Sequence, residues 1–399
     1  MESTKTLQQL VKNVEAFIQK LVQSKIPFAL WKSPNSENAV LMVDLMQEGN
    51  QPYQHDGAWP LEDYENCFVL NSFDRSHPPR PEVINADLVL KIELQESILK
   101  IDPKISSSAL EDFVRKISAP NDHAKAIGLT DIAESSDYEA AVAQAIEEIK
   151  NNNLQKVVLS RFKDFDIPKD FDAYRFFRQI SSKYPNAFCY IASSERHGLW
   201  LGATPERLLT IENNRHFVTD ALAGTQPLED GADLADLAWT QKEIEEQAMV
   251  SRYIVDCLKR IRLREFDEIG PRTVRAGNLA HLKTSYSIDM QATNMPNLGG
   301  IMLDLLHPTS AVCGFPREKA HQFIQENEGF DRELFAGFLG PVNFEGFTRI
   351  FVNLRCMKVV DGKARLFAGA GITRDSKPEK ELAETKHKMN TLLSVLRAS

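Results

Sequence analysis

The chain has 399 residues, of which 43% are hydrophobic and 26% charged, and its formal net charge at pH 7 is -9. This length allows one large domain or two average ones, with a sizeable buried core. The negative charge argues against a general nucleic-acid or anionic-membrane surface, although it is compatible with a local basic pocket for a small anion.

The five cysteines are widely spaced and form no CxxC pair. Such a pattern is typical of reduced core thiols in a cytosolic protein. The first residues contain no basic segment followed by an apolar one, and no run of about 18 apolar residues occurs in the chain. We therefore expect a cytoplasmic protein without a signal peptide or a membrane span.

Residues 1–130 carry helical and strand patterns but no cluster of catalytic side chains. Apolar residues recur at helical spacing over 7–22, which predicts an amphipathic helix. Short apolar runs separated by polar, proline-bearing loops then predict strands near 28–31, 39–45, 67–73 and 87–94. We expect this region to supply sheet and packing, as a divergent N-terminal part of one α+β fold.

Residues 131–399 carry strands and helices in blocks. The elements predicted here are a helix from about 136 to 150, a strand at 156–161, a helix at 170–183, strands near 187–193, 198–203, 207–212 and 215–222, a helix at 238–262, strands near 272–276 and 285–292, helices near 298–306 and 317–327, strands at 347–359 and 363–370, and a helix at 379–397. Hairpin-linked strands, rather than alternating strand and helix units, indicate an α+β fold with largely antiparallel sheets.

The end of the chain is predicted to form a strand, a glycine turn at 369–371 and a helix. Along this helix Glu381, Glu384 and Lys388 fall at i, i+3 and i+7 and so project from one face. Two carboxylates one turn apart, near a glycine turn, suit a hard divalent cation such as Mg²⁺. The alternative is a solvated helix face with paired charges, which is the more common situation.

The helix predicted at 238–262 repeats this spacing near its start, where Glu243 and Glu246 are again three residues apart. Acidic residues in a first helical turn are also expected from the helix dipole. Two helices that each present such a pair could nevertheless bracket one metal ion.

Lys156 and Glu206 are the candidate proton-transfer groups. A lysine at the edge of a strand is usually solvated, whereas one that points inward is a candidate general base. Glu206 follows a proline between two predicted strands, where a glutamate normally faces solvent. Held in a partly buried turn, it would instead have a raised pKa and could donate a proton.

Three further positions could contact an anionic ligand. The small residues Ala223, Gly224 and Thr225 form a predicted turn whose backbone N–H groups could approach an anion, although an ordinary turn would look the same. His307 lies in a loop between two helices, where a histidine is more often structural. Arg355 lies inside a predicted strand with apolar alternates, so it needs an anionic partner, either a carboxylate side chain or a ligand.

The order of these motifs along the chain is more specific than any one of them. KVVLSR, GATPERLL, AGTQP, KEIEE, HPTSAVCGFP, FDRELFAG, NLRC, GAGI and SKPEKELAETKHK together resemble the chorismate-utilising enzymes, over about residues 137–395. That family includes isochorismate synthase, salicylate synthase and component I of anthranilate and aminodeoxychorismate synthases. The resemblance implies that 131–399 is the chorismate-binding catalytic region. It also implies an α+β fold in which large antiparallel sheets pack together with helices outside, and a Mg²⁺ cofactor.

Within this family the chain resembles the water-using isochorismate synthases most. Lys156 matches the lysine of the water-using members, and Ala223 stands where the aminodeoxychorismate enzymes carry a nucleophilic lysine. The resemblance therefore implies an isomerase that forms isochorismate for menaquinone or siderophore biosynthesis, with no glutamine amidotransferase partner. A salicylate synthase, which adds pyruvate elimination, and a non-catalytic chorismate-binding protein remain alternatives.

The resemblance also assigns roles. Lys156 would take a proton from a water that attacks ring C2, and Glu206 would protonate the departing C4 hydroxyl. Glu246 and Glu384 would bind Mg²⁺, with Glu243 and Glu381 nearby as second or water-mediated carboxylates. The residues expected around the substrate are Ala223, Gly224, Thr225, His307, Arg355, Gly369 and Lys388.

Three positions depart from the family pattern. Gln247 replaces the usual histidine after the metal-binding glutamate, Gln226 replaces the usual arginine of the AGTRP turn, and Leu382 replaces a tryptophan in the last helix. None of these removes a residue expected to act in catalysis or metal binding.

Overall fold

A computed structural model describes residues 11, 13–46, 59, 61–74, 81–94, 98–103, 107–118, 137–168, 171–228, 233–234, 237–276 and 279–398. The helices in these ranges are α1 (Val14–Gln23), α2 (Ser107–Ser118), α3 (Tyr138–Lys150), α4 (Ala173–Lys183), α5 (Gln241–Arg260), α6 (Leu298–Leu306), α7 (Arg317–Asn327) and α8 (Pro378–Leu396). The strands are β1 (Phe28–Lys32), β2 (Asn38–Val43), β3 (Cys67–Asn71), β4 (Glu82–Asn85), β5 (Leu88–Glu93), β6 (Ile98–Pro103), β7 (Lys156–Asp166), β8 (Phe188–Ser194), β9 (Gly198–Thr204), β10 (Arg207–Glu212), β11 (His216–Pro227), β12 (Asp267–Ala276), β13 (Leu279–Asp289), β14 (Gly314–Phe315), β15 (Phe338–Val342), β16 (Phe347–Val352), β17 (Cys356–Val360) and β18 (Lys363–Ile372).

The strands form two antiparallel sheets. One sheet has ten strands in the order β14-β7-β18-β17-β9-β8-β1-β2-β5-β6, and the other has eight in the order β12-β13-β11-β10-β16-β15-β3-β4. The pairings between named strands are antiparallel. The predicted α+β class with large antiparallel sheets is confirmed.

The two sheets pack face to face through buried aromatic side chains. Phe188 of β8 stacks on Phe351 of β16 with ring centroids 4.1 Å apart, and Trp31 of β1 lies 5.3 Å from Phe68 of β3. Each such pair contributes about 1 kcal/mol beyond the burial of its surface. The opposite face of the ten-stranded sheet is covered by apolar side chains of α1, α4 and α8. The core therefore lies between the sheets, and these helices lie outside, as predicted.

Residues 1–130 contribute strands to both sheets. β1 pairs with β8 in the ten-stranded sheet, and β3 pairs with β15 in the eight-stranded one. The predicted boundary near residue 130 falls within 119–136, outside the described residues, and stays a prediction. Within the described ranges, no helix is both long enough and apolar enough to cross a membrane.

The prediction of one strand over 347–359 is wrong. β16 ends at Val352 in the eight-stranded sheet, and β17 begins at Cys356 in the ten-stranded one. Arg355 therefore lies in the segment that crosses between the sheets, with a left-handed backbone (φ 49°). The alternation of apolar residues continues across this crossover because both strands are buried, so the pattern conceals the break.

The predicted glycine turn at 369–371 is also wrong, because both glycines lie inside β18. They are needed for close packing against β7. A Cβ atom on Gly369 would lie 3.0 Å from the carbonyl oxygen of Leu159, and one on Gly371 would lie 2.9 Å from Cε of Lys156. Glycine within a strand often marks such a close approach.

Candidate active site

Lys156 is the first residue of β7 and is buried, with 9% of its surface exposed. Its backbone pairs with Phe315 of β14, and its side chain passes over Gly371 of β18. The Nζ atom lies 3.5 Å from Oε1 of Glu246 on helix α5. The side chain is therefore directed into the protein and not into solvent at a sheet edge.

Glu206 immediately precedes β10 and is half-buried. Its backbone oxygen accepts a hydrogen bond from the N–H of Val352 at 2.9 Å, which fixes the turn against β16. Burial raises the pKa of the Glu206 carboxyl, while the positive charges of Arg355, Lys156 and Lys388 act in the opposite direction. The turn thus directs an acid with a raised pKa toward three cationic side chains.

Arg355 lies beside Glu206 because of the crossover between the sheets. Its carbonyl oxygen accepts a hydrogen bond from the N–H of Ala203 at 3.0 Å. Burial lowers the pKa of the guanidinium, and the charges of Glu206 and Glu384 oppose that shift. Nearby, Asn353 fixes the crossover, since its Oδ1 accepts a hydrogen bond from the Tyr190 hydroxyl at 2.6 Å.

Lys388 and Glu384 project from helix α8 toward β18. Nζ of Lys388 donates to the carbonyl oxygen of Gly369 at 2.8 Å and lies 2.6 Å from Oε1 of Glu384. Glu381 lies one turn earlier on the same helix. Burial raises the pKa of the Tyr138 phenol on α3, and the charges of Glu381 and Glu384 add to this shift. Both carboxylates are therefore close to α3.

Glu243 forms part of the N-terminal cap of α5. Its Oε2 accepts hydrogen bonds from the backbone N–H of Thr240 at 2.8 Å and from Nε2 of Gln226 at 2.9 Å. Thr240 and Glu243 form a reciprocal capping box. Gln226, where the family pattern has arginine, thus binds the carboxylate that caps this helix. A role for Glu243 near a metal ion stays a prediction.

The small residues at 223–225 lie within β11, where the register shifts between Ala223 and Thr225. Gly224 has φ 71°, a conformation that suits glycine. The predicted turn is thus a bulge inside a strand. The carbonyl oxygen of Gly224 lies 3.0 Å from Nδ1 of His281 on β13. The side chain of Thr225 lies outside the described residues.

His281 is a residue of this site that no motif in the sequence reveals. Burial lowers the pKa of its imidazole, and the hydrogen bond to the Gly224 carbonyl raises it. The available signal was a histidine within the alternating pattern of β13, opposite the AGTQP motif. The pairing of Leu282 with Ala223 that brings the two together is a register that sequence spacing does not give.

His307 is buried, with 1% of its surface exposed, at the end of α6. Its ring packs edge-on against Phe338 of β15, with centroids 5.0 Å apart. Thr309 and Ala311, which follow in the same loop, line a cavity. His307 itself does not line this cavity, so its contact with the substrate stays a prediction.

That cavity has a volume of about 840 Å³ and opens between the sheets. Glu206 lines it together with Val250 of α5 and the loop residues Thr309 and Ala311. Lys156 does not line this cavity. Glu206 therefore lies between the cavity and the charged side chains of Lys156, Arg355 and Lys388.

Glu246 and Glu384 offer the oxygen ligands that a Mg²⁺ ion uses. This ion is commonly bound by one or two carboxylates and keeps several water molecules. The side chains of Glu246 and Glu384 are 45% and 48% exposed, and each has a lysine side chain beside it. In the part of the chain that the structure describes, no three Asp, Glu, His or Cys side chains lie close enough to bind a metal by themselves. A Mg²⁺ site at Glu246 and Glu384 therefore stays a prediction.

Gln247, the other departure next to this site, is buried and neutral. Its Nε2 donates to Oγ1 of Thr284 at 2.8 Å, and its Oε1 accepts from Ser251 at 3.4 Å. The amide thus satisfies its own hydrogen bonds within α5 and β13. The position directly after Glu246 consequently adds no titratable group.

Comparison with known proteins gives a consistent result. A family model described as chorismate binding enzyme matches residues 81–397. The vibriobactin-specific isochorismate synthase of Vibrio cholerae is 31% identical over 263 residues, which cover 64% of this chain and 66% of the relative. The isochorismate synthase EntC of Escherichia coli is 33% identical over 269 residues, which cover 66% of this chain and 68% of the relative. The chain thus spans about two thirds of the length of these relatives.

The fold has solved counterparts as well. The structure of MenF, the menaquinone-specific isochorismate synthase from Escherichia coli, matches with a TM-score of 0.71 at 23% identity. The match covers 94% of this chain and 90% of that one. At this level of identity, the match shows that the two proteins share a fold.

Proposed function

The chain belongs to the chorismate-binding enzyme family, and from that premise we propose that it is an isochorismate synthase, an isomerase that converts chorismate to isochorismate. Two relatives that are 31% and 33% identical to this chain are named as isochorismate synthases. The observation that carries the proposal is the position of Glu206: a carboxyl whose pKa is raised by burial, directed toward the side chains of Lys156, Arg355 and Lys388.

Glu206 acts as the general acid. A raised pKa keeps more of this carboxyl protonated near neutral pH, which is the form needed to protonate a departing hydroxyl group. The leaving C4 hydroxyl of the ring takes that proton and departs as water. The fixed turn between β9 and β10 orients the acid, because the backbone of Glu206 is hydrogen-bonded to Val352.

Lys156 acts as the general base. In its neutral form the amine takes a proton from the water that attacks ring C2, and an ammonium results. The Glu246 carboxylate, 3.5 Å from Nζ, is placed to interact with that ammonium. Lys156 begins β7 of the ten-stranded sheet, and Glu206 lies in the turn that leads into β10 of the eight-stranded sheet, so a ring bound between them would contact both.

The two carboxylates of the substrate need cationic partners. Arg355, which is half-buried, and Lys388 lie around Glu206 and provide them. The backbone of Gly224 packs against Glu243 of α5, and that of Gly369 accepts a hydrogen bond from Lys388 of α8, so both would border the bound substrate. When bound by Glu246 and Glu384, Mg²⁺ would supply positive charge at the ring carboxylate and draw electron density from the diene.

The relatives include enzymes specific for vibriobactin and for menaquinone. We propose that the isochorismate formed here enters menaquinone or siderophore biosynthesis in the same way. The five cysteines are free and buried, which suits a reducing cytoplasm.

The test is incubation of the purified protein with chorismate and Mg²⁺, followed by identification of the products by NMR. Isochorismate as the accumulating product is expected. Salicylate with an equivalent of free pyruvate would instead identify a salicylate synthase. Recovery of unchanged chorismate, with binding detected by calorimetry, would identify a non-catalytic binding protein.

A further inference from the structure

The outer edge of β7, the strand that begins with Lys156, is only partly covered by another strand. β14 pairs with it at two positions, Gly314 with Val157 and Phe315 with Lys156. The N–H of Val158 still reaches the carbonyl oxygen of Cys313 at 2.8 Å. The next backbone groups along this edge need other partners, because unpaired buried peptide groups are costly.

A buried ion pair supplies those partners. Nη2 of Arg332 donates to the carbonyl oxygen of Val158 at 2.7 Å, and Oε1 of Glu328 accepts from the N–H of Ser160 at 2.7 Å. Arg332 and Glu328 are also joined to each other, with Nε 2.7 Å from Oε2. The side chains of both are only 2% exposed. The ion pair thus continues the hydrogen-bonding pattern that β14 leaves unfinished.

The same arginine connects this edge to the loop behind the cavity. Nη1 of Arg332 donates to the carbonyl oxygen of Val312 at 2.9 Å, two residues before β14. Its guanidinium lies over the ring of Phe73, 4.1 Å from the centroid, and this contact holds the plane of the guanidinium. One planar group therefore bonds both to β7 and to the loop that contains Thr309 and Ala311.

The geometry points to Lys156 as the residue that this arrangement serves. Residues 156, 158 and 160 are two apart and therefore lie on the same face of β7. The ion pair thus holds the backbone at the two positions that follow Lys156 on that face. Arg332 bonds to two carbonyl groups and one carboxylate through three separate nitrogens in one plane, an arrangement that the single nitrogen of a lysine cannot reproduce. Buried charges are tolerated only when such hydrogen bonds are complete.

We propose that Arg332 and Glu328 are positioning residues for the general base, setting the distance of Lys156 from the reacting water and from Glu246. This inference rests on the proposed function. A base displaced by about 1 Å can lose on the order of 10²-fold in rate. Binding of the substrate, which depends on Arg355 and Lys388 on other elements, should be affected far less.

The test compares Arg332→Lys with a matched control. Arg332→Lys keeps the charge but replaces the three donor nitrogens of the guanidinium by one. The control is Arg365→Lys, because Arg365 forms a two-point ion pair with Asp164 at the far end of β7, with both bonds 2.8 Å long. Arg365 also lies over an aromatic ring, that of Phe162, at 4.1 Å. Each substitution thus removes an arginine that forms several hydrogen bonds and a ring contact, and the two arginines contact opposite ends of β7.

Three measurements are made on the full-length enzyme. Hydrogen exchange of the peptide containing 156–160 is expected to accelerate in Arg332→Lys and to stay unchanged in Arg365→Lys. The value of kcat with chorismate is expected to fall on the order of 10²-fold in Arg332→Lys, with KM nearly constant. The solvent deuterium isotope effect on kcat is expected to rise, because proton transfer to Lys156 becomes slower relative to the other steps.

The conservative variant Glu328→Gln, which keeps an acceptor for Ser160, should lie between wild type and Arg332→Lys. The proposal is overturned if exchange at 156–160 is unchanged in Arg332→Lys, or if both arginine variants lose kcat in proportion to their loss of thermal stability. If the wild-type protein forms no isochorismate, the proposed function fails, while the exchange comparison still decides whether the ion pair orders the strand that carries Lys156.

Discussion

The side chain of Lys156 fits into the space that Gly371 leaves by having no side chain. A Cβ atom at position 371 would come within 2.9 Å of Cε and 3.5 Å of Nζ of Lys156. The two residues lie on neighbouring strands of the ten-stranded sheet, where Gly371 pairs with Val158. The absence of a side chain on β18 therefore decides where the amine on β7 can lie.

Gly371→Ala should displace the amine and lower kcat by about tenfold or more, because reaction rate depends steeply on the placement of a base. The close contact between the new methyl group and Cε of Lys156 should also lower Tm. In a Lys156→Ala background the contact atoms are absent, so the loss of Tm caused by Gly371→Ala should largely disappear. A double-mutant cycle measured by thermal unfolding checks this coupling. Equal losses of Tm in both backgrounds would show that the clash lies elsewhere.

Loss of either proton-transfer group should abolish turnover without unfolding the protein. Lys156→Ala and Glu206→Ala are each expected to reduce kcat by about 10²- to 10⁴-fold. Chorismate consumption and far-UV circular dichroism measure the two effects separately. Lys163→Ala on the same strand and Glu212→Ala at the end of β10 serve as controls and should retain activity. A Lys156→Ala enzyme with a near wild-type rate would refute the assigned base.

Glu206 should make the stability of the protein depend on pH. A carboxyl whose pKa is higher in the folded than in the unfolded chain binds protons more tightly when folded. Its contribution to stability is therefore complete at low pH and is lost as the pH rises through the folded-state pKa. Glu206→Gln cannot lose a proton, so its Tm relative to wild type should increase between about pH 4 and about pH 8. A difference in Tm that stays constant over this range would contradict the raised pKa.

Glu384→Gln should weaken Mg²⁺ binding by about tenfold or more, since even indirect partners of a metal ligand often matter that much. Calorimetric titration of Mg²⁺ into the protein measures this without turnover. Glu379→Gln, an exposed residue in the first turn of the same helix, is the control and should bind as wild type does. Activity that survives thorough chelation would contradict the metal assignment itself.

Sequence patterns predicted the fold class and most elements because buried strands and amphipathic helices have clear periodicities. α6 and α7 occur over 298–306 and 317–327, as predicted, and the strand predicted at 156–161 begins at Lys156 but continues to Asp166. Arg355 was placed inside a strand, because apolar alternation does not show that the chain changes sheets between Val352 and Cys356. Apolar alternation likewise does not show which strands are neighbours, so it cannot predict any contact that depends on their pairing.

Three features of the site illustrate that limit. The glycines of GAGI suggested a turn, whereas the close approach of Lys156 to Gly371 is visible only when β7 and β18 lie side by side. His281 belongs to no recognisable motif, because its partner, the Gly224 carbonyl, lies 57 residues away in sequence. Arg332 lies in the FDRELFAG motif, but its bonds and those of Glu328 to the edge of β7 follow from the short length of β14.

The most direct test of the account is the conversion of chorismate with Mg²⁺ in water enriched in ¹⁸O, with the product identified by NMR and mass spectrometry. Attack of water on C2, assisted by Lys156, predicts isochorismate that carries one heavy oxygen atom in its C2 hydroxyl group. Isochorismate without heavy oxygen, or the absence of isochorismate altogether, would contradict the proposed reaction.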